Sequence, residues 1–276
     1  MSTRERLYRT HALILRRRDQ GDADRVLTIF SPEHGKLDVI AKGIRKTSSR
    51  KSGHLELFAH VSLLLAQGRT WDVVSEVTTV ESFRYLRTDL DAIGRVSYVC
   101  ELLDAFSESD DENAPLWELV LTILRILDQA SNPAVVPVDA TTPDAVPAAP
   151  AFDRSLLLRW FELRLLGAAG FQPQLFQCIG CEEALTPVVN YLSVEEGGIF
   201  CPNCAKNREH LETIEVDVLK ILRYLQSRSW AEVAPLQVRP TITRRVENIL
   251  HRYLIHILER RLKSVDFLRR LNALAP

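Results

Sequence analysis

Residues 13–41 read LILRRRDQGDADRVLTIFSPEHGKLDVIA. Three runs rich in aliphatic and β-branched residues, 13–18, 26–30 and 36–41, are separated by turn signals at Gly21-Asp22 and Ser31-Pro32-Glu33-His34-Gly35. Two further runs, 57–65 and 71–80, flank a turn at Gln67-Gly68. Five short strands within residues 1–80 predict a small closed barrel, because closure removes the unpaired edges that an isolated sheet would expose. A five-stranded OB-type barrel is the natural candidate and an SH3-like barrel the alternative. Strand number and spacing do not separate the two.

Between the third and fourth strands lies KGIRKTSSRKSGH, residues 42–54, in which Lys42, Arg45, Lys46, Arg50 and Lys51 alternate with small polar residues. This reads as a mobile basic loop. Arg16, Arg17 and Arg18 end the first strand and Arg25 opens the second. Alternation along a strand puts Arg16 and Arg18 on one face and Arg17 on the other. Two readings stand: a surface that tracks nucleic-acid phosphates, or a solvated loop that is basic without a ligand. Tyr8, Phe30, Phe58 and Trp71 are available for base stacking, but Phe30 and Phe58 alternate with core positions. Backbone contacts are therefore expected to dominate over base readout.

Beyond residue 81 the apolar period becomes helical. Phe83, Leu86, Leu90, Ile93, Val96, Val99, Cys100, Leu103 and Phe106 recur at spacings of three and four over 82–106, and 116–127 repeats the pattern after Pro115. The acidic run 108–112 reads as a solvated loop. Residues 131–151, SNPAVVPVDATTPDAVPAAPA, have no apolar period and read as a disordered insertion. Helices resume at RSLLLRWFELRLLGAAG, residues 154–170, and again at 215–227 and 243–263. The last carries a basic face of Arg244, Arg245, Arg252, Arg260 and Lys263, either solvated or a second surface for phosphates or an acidic partner peptide. The expected organisation is α+β: a barrel over 1–80, a helical domain over 81–177 and 205–276, and a cysteine hairpin inserted at 178–204.

That hairpin, CIGCEEALTPVVNYLSVEEGGIFCPNC, holds Cys178, Cys181, Cys201 and Cys204, four of the five cysteines. Two C-x-x-C pairs at this separation match a four-thiolate zinc site, each pair forming one knuckle. Residues 191–194 and 199–200 read as short strands whose turn, 195–198, folds the second pair onto the first. Four sulfurs fill a tetrahedral shell, so one structural zinc ion is expected. A redox dithiol and a disulfide are the competing readings, the first usually a single motif at a helix start and the second favoured by secretion. Cys100 reads as a buried thiol.

Formal net charge is −1, with 35 Lys and Arg against 36 Asp and Glu, yet it is unevenly spread. Residues 1–80 carry fourteen basic against nine acidic side chains and residues 206–276 fourteen against eight, while 81–153 carry four against fourteen. Basic ends around an acidic middle fit a polyanionic partner. The N-terminus, MSTRERLYRTHALILRRRDQ, has charges where a signal segment needs a continuous apolar run, and no apolar stretch approaches membrane-spanning length. A cytoplasmic protein is expected. Phosphate-binding G-x-x-x-x-G-K-[ST], nucleophile G-x-S-x-G and metalloprotease H-E-x-x-H motifs are absent from the sequence. His251 and His256 do not share a helix face at ligand spacing. The reading is a protein that is not an enzyme and has no small-molecule substrate.

THALILRRRDQGDADRVLTIFSPEHGKLDVIAKGIRKTSSRKSGHLELF, followed by SEVTTVESFRYLRTDLDAI, resembles the RecO family of bacterial DNA repair and recombination proteins. RWFELRLLGAAGFQPQLFQCIGCEEAL and FCPNC are similar to the segment of its zinc-containing members that leads into the cysteines. The resemblance spans the chain apart from 131–151, with Asp24 standing where a glutamate is commoner. It implies an N-terminal OB barrel, a helical body and a four-cysteine zinc site. It also implies a recombination mediator that binds single- and double-stranded DNA, anneals complementary strands, engages the C-terminal tail of SSB, and works with RecR to load RecA, in a nucleoid-associated location. The expected DNA surface is Lys42, Arg45, Lys46, Arg50 and Lys51 with Arg16, Arg18 and Arg25. A zinc-stapled protein adaptor without direct DNA binding is the alternative.

Overall fold

The computed structural model of the chain describes residues 7–47, 49, 51–88, 90–132 and 152–274, the side chains of 269 and 271–274 excepted. Arg50 and residues 133–151, which include most of the expected disordered insertion, lie outside the described residues. The rest divides into two compact units, residues 7–132 with 263–274, and residues 152–262. The helical segments 81–177 and 205–276 are thus shared between both units.

In the first unit, β1 (Leu7–Gln20), β2 (Asp24–Ser31), β3 (Gly35–Ala41), β4 (His60–Ala66) and β5 (Asp72–Glu81) close in the order β1-β2-β3-β5-β4. The parallel β3–β5 pair, Val39 opposite Asp72 and Ile40 opposite Val73, and the antiparallel β1–β4 pair give the OB arrangement. β1 starts earlier than its apolar pattern predicts, because Leu7 through Leu13 pair with Ala66 through His60 although Tyr8, Arg9, Thr10 and His11 break the alternation. Ile14, Leu27, Ile29, Val39, Leu63 and Leu65 are fully buried in the barrel core, joined by Ile44 and Leu55 from the β3–β4 connection.

Outside the barrel, the helical period expected from 82 is broken. Phe83 adopts φ 43°, residues Arg84–Arg87 form a 3-10 turn, and α1 (Leu90–Phe106) follows. The Asp128 carboxylate of α2 (Ala114–Ala130) accepts from the N–H groups of Tyr85 (2.8 Å) and Leu86 (3.1 Å), anchoring that turn. Asn113 caps α2 by accepting from Leu116 N–H at 3.0 Å. Phe30 is buried against Trp117 of α2, outside the barrel interior. The acidic loop keeps its carboxylates exposed, but its backbone is pinned: Lys36 N–H donates to Glu108 O (2.9 Å) and Asp110 N–H to His34 O (3.0 Å). A Cβ at Gly35, φ 61°, would lie 2.3 Å from Glu108 O, so only glycine allows this approach.

The second unit begins with α3 (Arg154–Ala168), capped by Asp153. A four-stranded sheet follows, ordered β6-β8-β7-β9 from β6 (Gln174–Cys178), β7 (Asn190–Ser193), β8 (Gly198–Phe200) and β9 (Glu212–Ile214), with the short α4 (Pro202–Ala205) after β8. The β7–β8 hairpin matches the expected strands, whereas β6 (QLFQC) has no apolar alternation and β9 has only three residues. Next come α5 (Val216–Ser227), the single turn α6 (Trp230–Val233) and α7 (Pro240–Leu258). α3, α5 and α7 pack on one another. α3 is buried nearly all round, and its Arg159 lies 2.6 Å from Glu162, which is fully buried, and 3.7 Å from Glu247 of α7. Such a charge cluster tolerates burial only while its members stay paired.

The helix expected over 243–263 is two helices. Glu259 takes a left-handed conformation, φ 51°, which ends α7, and Lys263 starts α8 (Lys263–Leu274), which packs on α1 in the first unit. The Glu101 carboxylate accepts from the N–H groups of Lys263 (2.9 Å) and Ser264 (2.8 Å), satisfying two helix-start donors with an anion at the positive end of the helix dipole. Glu101→Ala is expected to destabilise α8 by about 1–2 kcal/mol. Faster hydrogen exchange confined to α8, with barrel amides unchanged, is the readout; unaltered exchange in α8 contradicts the cap.

Candidate functional site

Cys178 ends β6, Cys181 lies in the following turn, Cys201 precedes α4 and Cys204 lies within it. The β7–β8 hairpin and the parallel β6–β8 pairing bring the two C-x-x-C pairs together. All four sulfurs lie within 4.8 Å of one another, and Cys181 Sγ is 4.0 Å from Cys201 Sγ. A disulfide needs about 2 Å, whereas sulfurs each about 2.3 Å from a tetrahedral zinc are about 3.8 Å apart. The cluster could therefore form a zinc site. Gly180 makes room for it: a Cβ there would come within 3.2 Å of Cys204 Sγ and 3.1 Å of the Phe200 ring.

The electrostatics favour a cation. Burial opposes ionisation of Cys178, but N–H donors of Cys201 (3.2 Å), Gly180 (3.4 Å) and Cys181 outweigh it and draw the thiol down to about 6. Cys204, hydrogen-bonded to the sulfurs of Cys201 and Cys181, is pushed up to about 12. One thiolate is stable unaided, and further ones need a compensating positive charge. Cys100 is buried in α1, where desolvation raises its pKa far above the usual thiol range.

On the barrel, the turn after β3 is tied to its neighbours in its described part. Ile44 is buried, Gly43 N–H donates to Asp24 Oδ1 (2.8 Å), and Arg45 N–H donates to Ala23 O (3.0 Å). Asp24 thus fastens the turn to the β1–β2 hairpin. Lys42 and Lys46 are exposed, with no carboxylate partner among the described residues. Among the described residues, the other expected cations are engaged. Arg45 and Arg25 share Asp19 (3.5 and 2.9 Å), Arg16 reaches Asp104 (3.2 Å), and Arg18 reaches Asp38 (3.7 Å). Lys51 Nζ donates to Val74 O at 2.8 Å. Arg16 and Arg18 face α1 and β3, whereas Arg17 pairs with Glu56. Asp104 lies 88 residues from Arg16, which hid that pairing from the sequence, whereas Asp19 sits six residues from Arg25 across the β1–β2 hairpin.

On α7, Arg245 lies 2.7 Å from Glu212, and Arg252 bonds the same carboxylate, so both fasten β9 to the helix. Arg244 and Arg260 are exposed, and Lys263 belongs to α8. The five cations do not form one helix face. Among the described residues, no helix is long and apolar enough to cross a membrane.

Two family models match the chain, "Recombination protein O N terminal" over residues 1–83 and "Recombination protein O C terminal" over residues 87–138 and 145–266. The gap within the second match, residues 139–144, falls inside the Pro/Ala segment. The chain is 39% identical over 265 residues to a "DNA repair protein RecO" of Roseiflexus sp. (strain RS-1), covering 96% of this chain and 86% of that protein. It is 34% identical over 265 residues to the protein of that name from Pelotomaculum thermopropionicum, covering 96% and 94%. With one from Dehalococcoides mccartyi (strain BAV1) it shares 32% over 261 residues, covering 95% and 94%.

Elemental analysis of the purified chain is expected to find about one divalent ion per molecule. Cys201→Ser is expected to release it and to unfold residues 152–262 at lower denaturant, since a structural zinc contributes on the order of 10 kcal/mol to folding. Metal-free protein of unchanged stability contradicts the site.

Proposed function

The chain belongs to the RecO family, and on that premise we propose that it serves DNA repair and homologous recombination as a mediator without catalytic chemistry. It binds single- and double-stranded DNA and anneals complementary strands. With RecR it helps to load RecA onto DNA coated by SSB, whose C-terminal tail it engages. The ion held by Cys178, Cys181, Cys201 and Cys204 is zinc, closed off from substrate and structural in role.

One observation carries the DNA reading: a hydrogen-bonded turn on an OB barrel that presents Lys42, Arg45 and Lys46 to solvent. Annealing requires cations that neutralise two phosphate backbones while leaving base edges free to pair. Exposed lysines on a fixed backbone fit that requirement. Arg16, Arg18 and Arg25 flank the turn as cations already held by carboxylates, and phosphate contact there requires exchange of partners.

Binding of fluorescent single-stranded DNA across a salt series tests the proposal. Log affinity is expected to fall linearly with log salt, and Lys42→Glu/Arg45→Glu/Lys46→Glu to flatten the slope by roughly 2, at about 0.7 for each single-strand phosphate no longer neutralised. Weak, salt-independent binding by the unaltered protein would instead leave a zinc-stapled protein adaptor.

A further inference from the structure

A cleft of about 470 Å³ opens on the barrel, lined by Arg16 of β1, Thr28 of β2, Lys36 and Asp38 of β3, Trp71 of the β4–β5 turn, and Ser109. Its size suits a small ring-sized ligand. In OB folds, the face of the second and third strands and the loop between the fourth and fifth are where oligonucleotides lie, and this cleft occupies that position.

The backbone around Trp71 is held in place, and one side-chain contact reaches its indole. Gly68 lets the turn close, because a Cβ there would lie 1.9 Å from Trp71 O. Gly68 N–H donates to Asp72 Oδ1 at 3.0 Å, and the Tyr8 hydroxyl donates to Asp72 Oδ2 at 2.5 Å. The Arg18 guanidinium stands 5.3 Å from the indole centroid. The turn that carries the aromatic wall is therefore fastened by hydrogen bonds within the barrel.

Charge in the cleft is matched internally. Arg16 and Lys36 converge on Asp104 at 3.2 and 3.6 Å, and Lys36 Nζ also donates to Asp104 O at 2.6 Å. Asp38 accepts from the Thr28 hydroxyl at 2.6 Å and faces Arg18. With two lining cations opposed by Asp38 and Asp72, nothing selects for phosphate. An indole wall with hydrogen-bonding groups at its rim fits a flat, uncharged ring.

We infer that this cleft receives one unpaired nucleobase of a single strand, stacked on Trp71 with its polar edge toward Thr28, Asp38 and Ser109. The inference deepens the proposed DNA-binding role and rests on it. Stacking there discriminates single strands from duplex, whose bases are already stacked, and it adds affinity that salt does not screen.

The test compares oligothymidylate with an abasic strand of equal length and charge, and with duplex, for the unaltered protein, Trp71→Ala and Trp71→Phe. The unaltered protein is expected to prefer oligothymidylate over the abasic strand by about tenfold. Trp71→Ala is expected to lose that preference, Trp71→Phe to keep most of it, and both to leave duplex affinity and the salt slope unchanged. Equal binding of abasic and thymidylate strands by the unaltered protein overturns the cleft even if Trp71→Ala does not fold. So does loss of duplex and single-strand binding in parallel. If salt-dependent binding persists in either case, the turn at Lys42–Lys46 still stands as the DNA surface; if no strand binds at all, the DNA-binding role itself fails.

Discussion

Closure of the barrel depends on one strand serving two partners. The first half of β1, Leu7 to Leu13, pairs with β4, and the second half, from Leu13 to Gln20, pairs with β2, with a register shift between Ile14 and Arg16. A bulge of this kind bends the strand and increases its twist. Before the bend, Ala12 to Leu15 are buried; after it, Arg16 to Gln20 are all exposed. The position of the bend therefore decides which β1 residues form core and which form a cationic ribbon. Val26 and Leu27 remain buried opposite that ribbon, so the hairpin is apolar on one strand and charged on the other.

The second unit is organised differently. Its sheet has strands of only three to five residues, too few to specify register by side-chain alternation alone. The cysteines supply the missing constraint: a sulfur at the end of β6 and two beside β8 must converge. β9 is fastened from outside by Arg245 and Arg252 through Glu212. Those arginines read as a solvated or ligand-binding face in the sequence because a helix displays its own period, while the acceptor on a distant three-residue strand has none.

The barrel strands, α2, α3, α5 and the β7–β8 hairpin were legible because each carries a periodic apolar pattern or an unambiguous turn. What escaped was whatever depended on backbone partners remote in sequence. The break at Phe83 follows from Asp128 capturing two N–H groups from 42 and 43 residues away. The acidic loop looked solvated because its side chains are, while its carbonyls and N–H groups are tied to residues 32–36. The end of α7 at Glu259 has no glycine or proline to announce it. The C-x-x-C spacing was legible for the opposite reason: metal coordination writes its geometry directly into residue spacing.

Counting basic residues weighed the barrel's cations equally. Arg16, Arg18, Arg25 and Arg45 each meet a carboxylate, and those pairs that face solvent contribute little to stability. Their consequence is for binding. A phosphate approaching Arg25 or Arg45 must compete with Asp19, whereas Lys42 and Lys46 offer their charge without exchange. The barrel surface is thereby graded, from free lysines on the β3–β4 turn to internally balanced charges around Trp71. A surface of that kind separates two tasks: long-range attraction of a polyanion, which salt screens over about 10 Å, and short-range selection of an unpaired base, which depends on contact with a ring. The annealing activity proposed for the chain requires both, since strands must be gathered despite their charge and their bases released for pairing with one another.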